Sequence, residues 1–194
     1  KKVLILCNDF PPINSIGADR PYSWYKYFNE FGIEPIIVTK NWIANDNAAI
    51  QEIDKETLYF REIIRVGRKN VPSIWFINKF QMRFSIFRKV LTFVEKTLCF
   101  HFSFFDQHYY IYKEAKKYIE HNEVSAILVT GEPFILFRYG HLLNKKFGTK
   151  WVADYRDGWF LNHVTSISKN PFTKFFRFKK FFSEKKIMKN VNAI

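Results

Sequence analysis

Cysteine and long apolar runs are scarce in this chain of 194 residues, and each shortage excludes classes of protein. The two cysteines, Cys7 and Cys99, lie in apolar segments and lack the spacing of metal ligands or of a disulfide framework, so a reducing compartment is expected. No uninterrupted apolar segment approaches the ~20 residues of a membrane span. The first apolar run is interrupted by Asn8 and Asp9, which is too early for a signal peptide.

Two common binding motifs are also missing. The first apolar segment is not followed by G-x-G-x-x-G, which disfavours a dinucleotide-binding dehydrogenase. None of the five histidines forms an H-x-x-x-H or H-E-x-x-H pair, so no zinc site is expected. His163 is the one histidine near other candidate residues, and an exposed loop position is its simpler interpretation.

Phenylalanine and basic residues are what the chain has in excess. It contains 23 Phe, and its 31 Lys and Arg against 18 Asp and Glu give a formal net charge of +13. A nucleic acid, an anionic membrane or a phosphorylated substrate would suit this charge, although an AT-rich genome also favours Lys and Phe codons. With 47% hydrophobic residues, one folded domain is expected over residues 1–194.

Short apolar segments alternate with segments of helical periodicity. Strands are predicted at residues 3–7, 35–39, 126–130 and 150–155, and within 58–66. Helices are predicted at 18–31, 106–122, 134–147 and 171–190, and within 71–105, with Gly32 and Gly148 ending two of them. This order predicts an α/β fold with a doubly wound, Rossmann-like parallel sheet. Residues 191–194 read as the beginning of a further strand, so more protein is expected beyond Ile194.

Loops that follow three of these strands contain the candidate site residues. Ligands bind beyond the carboxyl ends of parallel strands, so the loops 9–17, 131–133 and 156–159 are expected at one edge of the sheet. The first loop opens a helix whose free N–H groups suit a phosphate, with a cation beside them: Ser15, Ile16, Gly17 and Arg20. A tightly packed loop without a ligand is the alternative.

The other two loops supply carboxylates. Glu132, after Gly131, either accepts hydrogen bonds from sugar hydroxyls or caps the following helix. Asp154 lies near the end of the fifth strand, and Arg156 and Asp157 follow that strand. For these three residues the interpretations are an ion pair that orders the loop, contact with a ligand, and acid–base catalysis, of which the ion pair is commonest.

A basic, phenylalanine-rich helix is expected near the end of the chain. Its apolar stripe consists of Phe172, Phe175, Phe178 and Phe182, and the neighbouring charges are Lys179 and Lys180. The pattern fits either a core-facing stripe with a solvated basic back or a helix lying on anionic lipid headgroups. Residues 77–105 repeat the pattern, which strengthens the membrane interpretation.

Three motifs in order resemble the amino-terminal domain of family 4 glycosyltransferases over nearly the whole chain. They are K-V-L-I-L followed by F-P-P within residues 2–12, V-T-G-E-P at 129–133, and W-V-A-D-Y-R-D-G-W at 151–159. The resemblance implies one half of a GT-B enzyme, in which two Rossmann-like domains face each other across a cleft. This chain would be the acceptor-side domain, inactive alone, and the carboxyl-terminal domain that binds most of the nucleotide-sugar would be absent from it.

The resemblance also implies an activity and a place in the cell. A bacterial enzyme of this kind transfers a sugar from a nucleotide-sugar to a lipid-linked or polysaccharide acceptor, with retention and without a metal or cofactor. It works in the cytoplasm at the inner face of the cell membrane, and no nucleic acid is expected as partner. Gly17 matches the family's glycine that faces the donor phosphates. The turn at the acceptor cleft is matched by Gly131 and Glu132. An Arg-Asp pair of the later loop is matched by Arg156 and Asp157.

The chain departs from the family pattern at two places. The first loop has one glycine instead of two, and Phe134 follows the Gly-x-Pro turn where many members have histidine or serine. Two other functions therefore stay open. One is a basic, aromatic-rich nucleic-acid-binding domain, and the other is a catalytically inactive membrane-docking scaffold of the same fold.

Overall fold

The computed structural model describes residues 1–42, 62–67, 69, 71–72, 75, 85–98, 102, 105–155 and 171–193. Its strands are β1 (Lys2–Cys7), β2 (Glu34–Lys40), β3 (Ile63–Val66), β4 (Ala126–Thr130) and β5 (Lys150–Asp154). They form a parallel sheet in the order β3-β2-β1-β4-β5. Each strand overlaps a predicted one, and the α/β, doubly wound, Rossmann-like class is confirmed.

Helices cover both faces of this sheet. They are α1 (Ile16–Tyr27), extended by a 3₁₀ helix (Phe28–Phe31), then α2 (Ser85–Leu98), α3 (Tyr109–His121), α4 (Ile135–Phe147) and α5 (Pro171–Met188). Side chains of α1 pack with one face of the sheet, whereas α3, α4 and the end of α5 pack with the other. This two-sided covering is why the strands are almost continuously apolar.

Local sequence signals explain where these helices begin and end. Ser15 caps α1, because its Oγ accepts a hydrogen bond from the Ala18 N–H at 3.2 Å. Gly32 ends the 3₁₀ helix at φ 68°, and Gly148 ends α4 at φ 71°. Both glycines adopt the left-handed conformation that favours residues without a Cβ atom.

Strand alternation divides the core between the two faces. In β1, Leu4 and Leu6 face α3 and α4, whereas Ile5 and Cys7 face α1. The chain runs outward from β1 to β3 and then crosses back to place β4 on the other side of β1. Beyond the carboxyl ends of β1 and β4, this reversal opens the crevice in which doubly wound folds bind ligands.

After α5 the chain returns to the sheet beside β5. Ala193 forms a parallel bridge with Val152, and the N–H of Ala153 donates to its carbonyl at 3.0 Å. The N–H of Asn192 donates to the carbonyl of Trp151, also at 3.0 Å. Of the strand predicted to begin at 191–194, the described residues show a single bridge at Ala193.

Candidate functional site at the carboxyl edge of the sheet

The start of α1, the turn after β4 and the end of β5 meet at the carboxyl edge of the sheet. The Gly131 N–H donates to the Asp154 carbonyl at 2.8 Å, which ties the turn after β4 to the end of β5. Nη1 of Arg20, in the first part of α1, lies 2.5 Å from Oδ1 of Asp154. These contacts join α1, the turn after β4 and the end of β5, whereas the predicted loop at 156–159, which contains Arg156 and Asp157, lies outside the described residues.

Asp154 faces Arg20 because of strand alternation. Trp151 and Ala153 point into the core on the α4 side, so Asp154 points to the α1 side of the sheet. Its side chain is 16% exposed and that of Arg20 is 45% exposed. The second carboxylate oxygen, Oδ2, is buried and has no hydrogen-bond partner in the part of the chain that the structure describes. The edge therefore contains a carboxylate that is only half satisfied by the protein.

The start of α1 is held by an internal carboxylate. The Ser15 hydroxyl donates to Oδ2 of Asp9 at 3.1 Å, and Nδ2 of Asn8 donates to Oδ1 of Asp9 at 2.7 Å. Ile16 at the first helical position is 81% exposed, and Gly17 is half-buried. The negative charge of Asp9 thus compensates the positive helix end that the sequence suggested for a donor phosphate.

The turn after β4 brings backbone, not only side chains, into the site. A Cβ atom on Gly131 would lie 3.1 Å from the Phe137 ring and 3.3 Å from the Asp154 carbonyl oxygen, so only glycine fits without adjustment. Glu132 is exposed and has φ 59°, a left-handed conformation rarely adopted by a residue other than glycine. Phe134 is the N-cap of α4, without a side-chain cap hydrogen bond, so Glu132 does not cap this helix.

A cavity of about 270 Å³ opens at the same edge, over the ends of β1, β2 and β3. Its lining residues are Asn8, Lys40, Trp42, Val66, Gly67, Gln107, His108 and Ile111. Trp42 Nε1 donates to the Asn8 carbonyl at 3.1 Å, and Lys40 Nζ lies 3.4 Å from the centre of the Trp42 ring. Sequence reasoning missed Lys40 and Trp42. The rule that singled out the other loops would have found them, because both stand at the carboxyl end of β2.

A buried carboxylate fixes the far wall of this cavity. Asp106 accepts a hydrogen bond from the Tyr139 hydroxyl, and His108 Nδ1 lies 3.1 Å from its Oδ1. The start of α3 is thereby joined to α4. Burial lowers the pKa of nearby Lys69, although Asp106 acts in the opposite direction. His108 is thus positioned at the cavity by a hydrogen bond instead of being a free loop histidine.

Two ionisable groups lie behind the edge, in the α1 face of the sheet. Burial raises the pKa of Cys7 to about 12, which keeps the thiol neutral and unsuited to act as a nucleophile at neutral pH. Burial also lowers the pKa of Arg65, whose guanidinium lies 5.9 Å from the Phe10 ring centre and whose Nη1 has no hydrogen-bond partner. These groups belong to the framework behind the cavity.

The aromatic stripe of α5 is partly described. Phe178 is 64% exposed and Phe182 is 51% exposed, so these two rings do not belong to the core, and the core-facing alternative is wrong for them. Ile187 is the α5 residue that the core buries. The side chains of Phe172, Phe175, Lys179 and Lys180 lie outside the described part of the structure. None of the described helices combines the length and the apolar character that a bilayer span requires.

Comparisons with known proteins assign no family to the chain. No protein-family model matches it, and no curated protein matches it. Among the described residues, no group of His, Cys, Asp and Glu side chains has the arrangement of a metal site. The Rossmann-like fold is established by the coordinates, and the activity has to be argued from the carboxyl edge itself.

Proposed function

We propose that the chain is the acceptor-side domain of a retaining, metal-independent glycosyltransferase. The enzyme transfers a sugar from a nucleotide-sugar to a lipid-linked or polysaccharide acceptor at the cytoplasmic face of a membrane. The observation that carries the proposal is the meeting of Arg20, Gly131 and Asp154 at the carboxyl edge of a doubly wound sheet, beside a cavity of about 270 Å³. Ligands of such folds bind at this edge.

The groups at the edge suit an uncharged, hydroxyl-rich acceptor. The Asp154 Oδ2 atom lacks a donor, Glu132 is exposed at the turn, and the cavity combines a tryptophan ring with the amide of Gln107. A few polar groups around an aromatic surface are what fixes the orientation of a small ligand.

The transferred sugar leaves a diphosphate, and its growing negative charge needs a cation or N–H donors. Arg20 is a cation of the described edge, and Asp154 holds its guanidinium in place. A cation ordered before the donor binds loses less conformational freedom on binding. Arg20 would then share its guanidinium between Asp154 and the leaving phosphate.

A second function, a catalytically inactive scaffold that docks at membranes, is favoured by one specific observation. The two charges of the predicted phosphate site are already compensated, since Arg20 pairs with Asp154 and Asp9 lies at the start of α1. A site without uncompensated positive charge attracts a diphosphate weakly. The activity of the whole protein distinguishes the two functions.

The test compares Arg20→Ala with Lys26→Ala in the protein that also carries the second domain. Lys26 is the matched control, because it is an exposed cation in the last turn of the same helix. Release of nucleoside diphosphate is measured from uridine, guanosine and adenosine diphosphate sugars, with lipid-linked saccharides as acceptors. We expect kcat/KM to fall about 100-fold for Arg20→Ala, the size of effect seen when a group stabilising transition-state charge is lost. Lys26→Ala should stay within about twofold, because a surface charge far from the reacting groups changes little.

Two results would contradict the proposal. Equal activity of both variants removes Arg20 from the donor site. Absence of nucleotide release from every donor favours the inactive scaffold. Asp154→Asn serves as the second variant, because it removes the ion pair while keeping the size of the side chain.

A further inference from the structure

A second cavity, of about 290 Å³, lies between α4 and α5. Its walls are Arg138, His141, Leu142 and Lys145 from α4, and Ser183, Lys186 and Ile187 from α5. We call it the α4–α5 groove. It lies on the face of the sheet opposite α1 and shares no lining residue with the cavity at the carboxyl edge.

Among the described residues that line the α4–α5 groove there is no carboxylate. Arg138, Lys145 and Lys186 supply three cations, and the neighbouring acid on α5, Glu184, accepts a hydrogen bond from the Tyr155 hydroxyl at 3.0 Å. His141 Nδ1 is buried without a hydrogen-bond partner. Burial lowers the pKa of His141, and the same three cations lower it further. These side chains favour the binding of an anion in the groove.

Exposed aromatic rings of α5 lie one to two helical turns before Lys186. Phe178, Phe181 and Phe182 are 64%, 40% and 51% exposed. Their ring centres are 4.5 Å apart for Phe178 and Phe182, and 5.3 Å apart for Phe181 and Phe182. Phe182 and Lys186 are four residues apart and therefore share one side of α5. One surface thus combines an apolar cluster with an anion-attracting groove.

We infer that the α4–α5 groove binds the phosphate of an anionic phospholipid headgroup while Phe178, Phe181 and Phe182 enter the interfacial layer of the membrane. The inference rests on the membrane location in the proposed function and adds to it a defined headgroup site. Apolar rings beside basic side chains are the pattern of a helix that lies in a membrane surface. A free phosphate would use the cations and leave the exposed rings without a role.

The arrangement of the rings favours lipid over single-stranded nucleic acid. Bases stack on separate, open ring faces placed along a groove. Here the Phe182 ring contacts both neighbouring rings, at interplanar angles of 58° and 85°, so the three form one apolar projection. Such a projection fits between lipid headgroups better than between successive bases.

Vesicle flotation of the full chain tests the inference. Phosphatidylcholine vesicles are compared with and without phosphatidylglycerol, using wild type, Lys186→Glu and Lys26→Glu. The control Lys26→Glu makes the same charge change in α1, on the opposite face of the sheet. We expect binding that requires phosphatidylglycerol, a partition coefficient lowered about tenfold or more by Lys186→Glu, and a change of less than about twofold for Lys26→Glu. Equal loss in both variants means attraction to net charge alone and overturns the headgroup site.

A second readout locates the anion and does not depend on binding to vesicles. The His141 ring signal, assigned by its loss in His141→Gln, is titrated against pH with and without a short-chain, water-soluble phosphatidylglycerol. An anion between Arg138, Lys145 and Lys186 offsets their effect, so the pKa of His141 should rise on binding. An unchanged His141 titration at saturating lipid overturns the inference.

The remaining experiments distinguish a lipid from other ligands, and the headgroup site from the proposed function. Two results overturn the lipid assignment. One is an equal response of His141 to inorganic phosphate in a protein that does not bind vesicles. The other is Lys186-dependent binding of single-stranded DNA in a protein that does not bind vesicles. Sugar transfer to a soluble acceptor is measured in parallel with Lys186→Glu. If wild type transfers sugar but does not bind vesicles, only the proposal of a headgroup site is contradicted. If it binds vesicles but does not transfer sugar, only the proposal of a glycosyltransferase is contradicted.

Discussion

Asp154 shows how a single side chain connects the periodicity of a strand to the chemistry of the edge. Alternation turns it toward α1, and there it meets Arg20, which is 134 residues away in the chain. The pair is partly exposed, so it stabilises the fold by only about 1 kcal/mol. Its larger effect is on position, because it holds a guanidinium where α1, the turn after β4 and the end of β5 meet.

Cys7 provides a prediction about stability and pH. Burial raises the pKa of its thiol from an ordinary 9.0 to about 12, so the unfolded chain loses this proton more readily than the folded one. The contribution of Cys7 to the free energy of unfolding is fully present below about pH 9 and is lost progressively as pH rises toward 12. Between pH 9 and 10 the free energy of unfolding of wild type should fall by about 1 kcal/mol because of this group.

The measurement is urea unfolding at closely spaced alkaline pH values for wild type and Cys7→Ala. Tyr118, whose pKa burial also raises to about 12, weakens both proteins in the same range, so the difference between them isolates the thiol. Cys7→Ala should be less stable at neutral pH and should approach wild type as pH rises. Parallel curves would show that Cys7 ionises as readily in the folded protein as in the unfolded chain.

At the scale of elements, the contact of α4 with the sheet depends on Gly140. A Cβ atom at this position would lie 2.7 Å from Cε3 of Trp151 and 2.8 Å from Cγ2 of Val129, both closer than real contacts allow. We expect Gly140→Ala to lower the free energy of unfolding by about 1–3 kcal/mol, because α4 must move away from β4 and β5.

Gly67→Ala is the matched control for Gly140→Ala. Nothing lies within 4 Å of a Cβ atom on Gly67, so its stability should stay within about 0.5 kcal/mol of wild type. Chemical unfolding of the three proteins measures the difference. A Gly140→Ala variant as stable as wild type would contradict the close contact of α4 with the sheet.

The elements themselves were largely predictable from sequence. Strands β1, β2, β4 and β5 are short apolar segments, and α1 and α4 are followed by glycines that stop them, because such signals are local. The prediction of helix from residue 18 was off by two residues, since the Ser15 cap lies before the apolar periodicity begins. Local signals therefore account for the order and type of the elements that the structure describes.

The chemistry of the sites was less predictable, because it depends on residues far apart in sequence. The Arg20–Asp154 pair, the edge cavity with Trp42 and His108, and the α4–α5 groove each join separate elements. Charge and aromatic content pointed to the basic segment of α5, but not to its partner helix α4 or to His141 between them. Only the packing of α4 on β4 and β5 brings these side chains together.

At the scale of the whole molecule, the two proposed functions belong to two separate surfaces. The carboxyl edge, where the crossing from β3 back to β4 opens a crevice, gathers loops from sequence-distant strands. The α4–α5 groove lies on one helical face, with the exposed rings of α5 beside it. In our proposal the face docks on lipid and the edge receives the acceptor, so that a lipid-linked saccharide reaches the site from the same membrane.

The net charge of +13 makes the fold and the membrane contact respond to salt in opposite directions. The described ion pairs are few and mostly exposed, so repulsion among lysines and arginines opposes folding at low ionic strength. Added sodium chloride screens this repulsion, and we expect the melting temperature to rise by a few degrees, equivalent to about 1 kcal/mol. The same screening should weaken flotation with phosphatidylglycerol vesicles.

Two exposed lysines of α3, Lys113 and Lys117, offer a control for this salt effect. The substitutions Lys113→Gln and Lys117→Gln should reduce the salt response of the melting temperature. Vesicle binding should stay within about twofold, since neither residue lines the α4–α5 groove. Thermal unfolding and flotation across one salt series measure both effects, and vesicle binding that does not weaken with salt would mean that the contact is apolar and that the cations of the groove do not contribute to it.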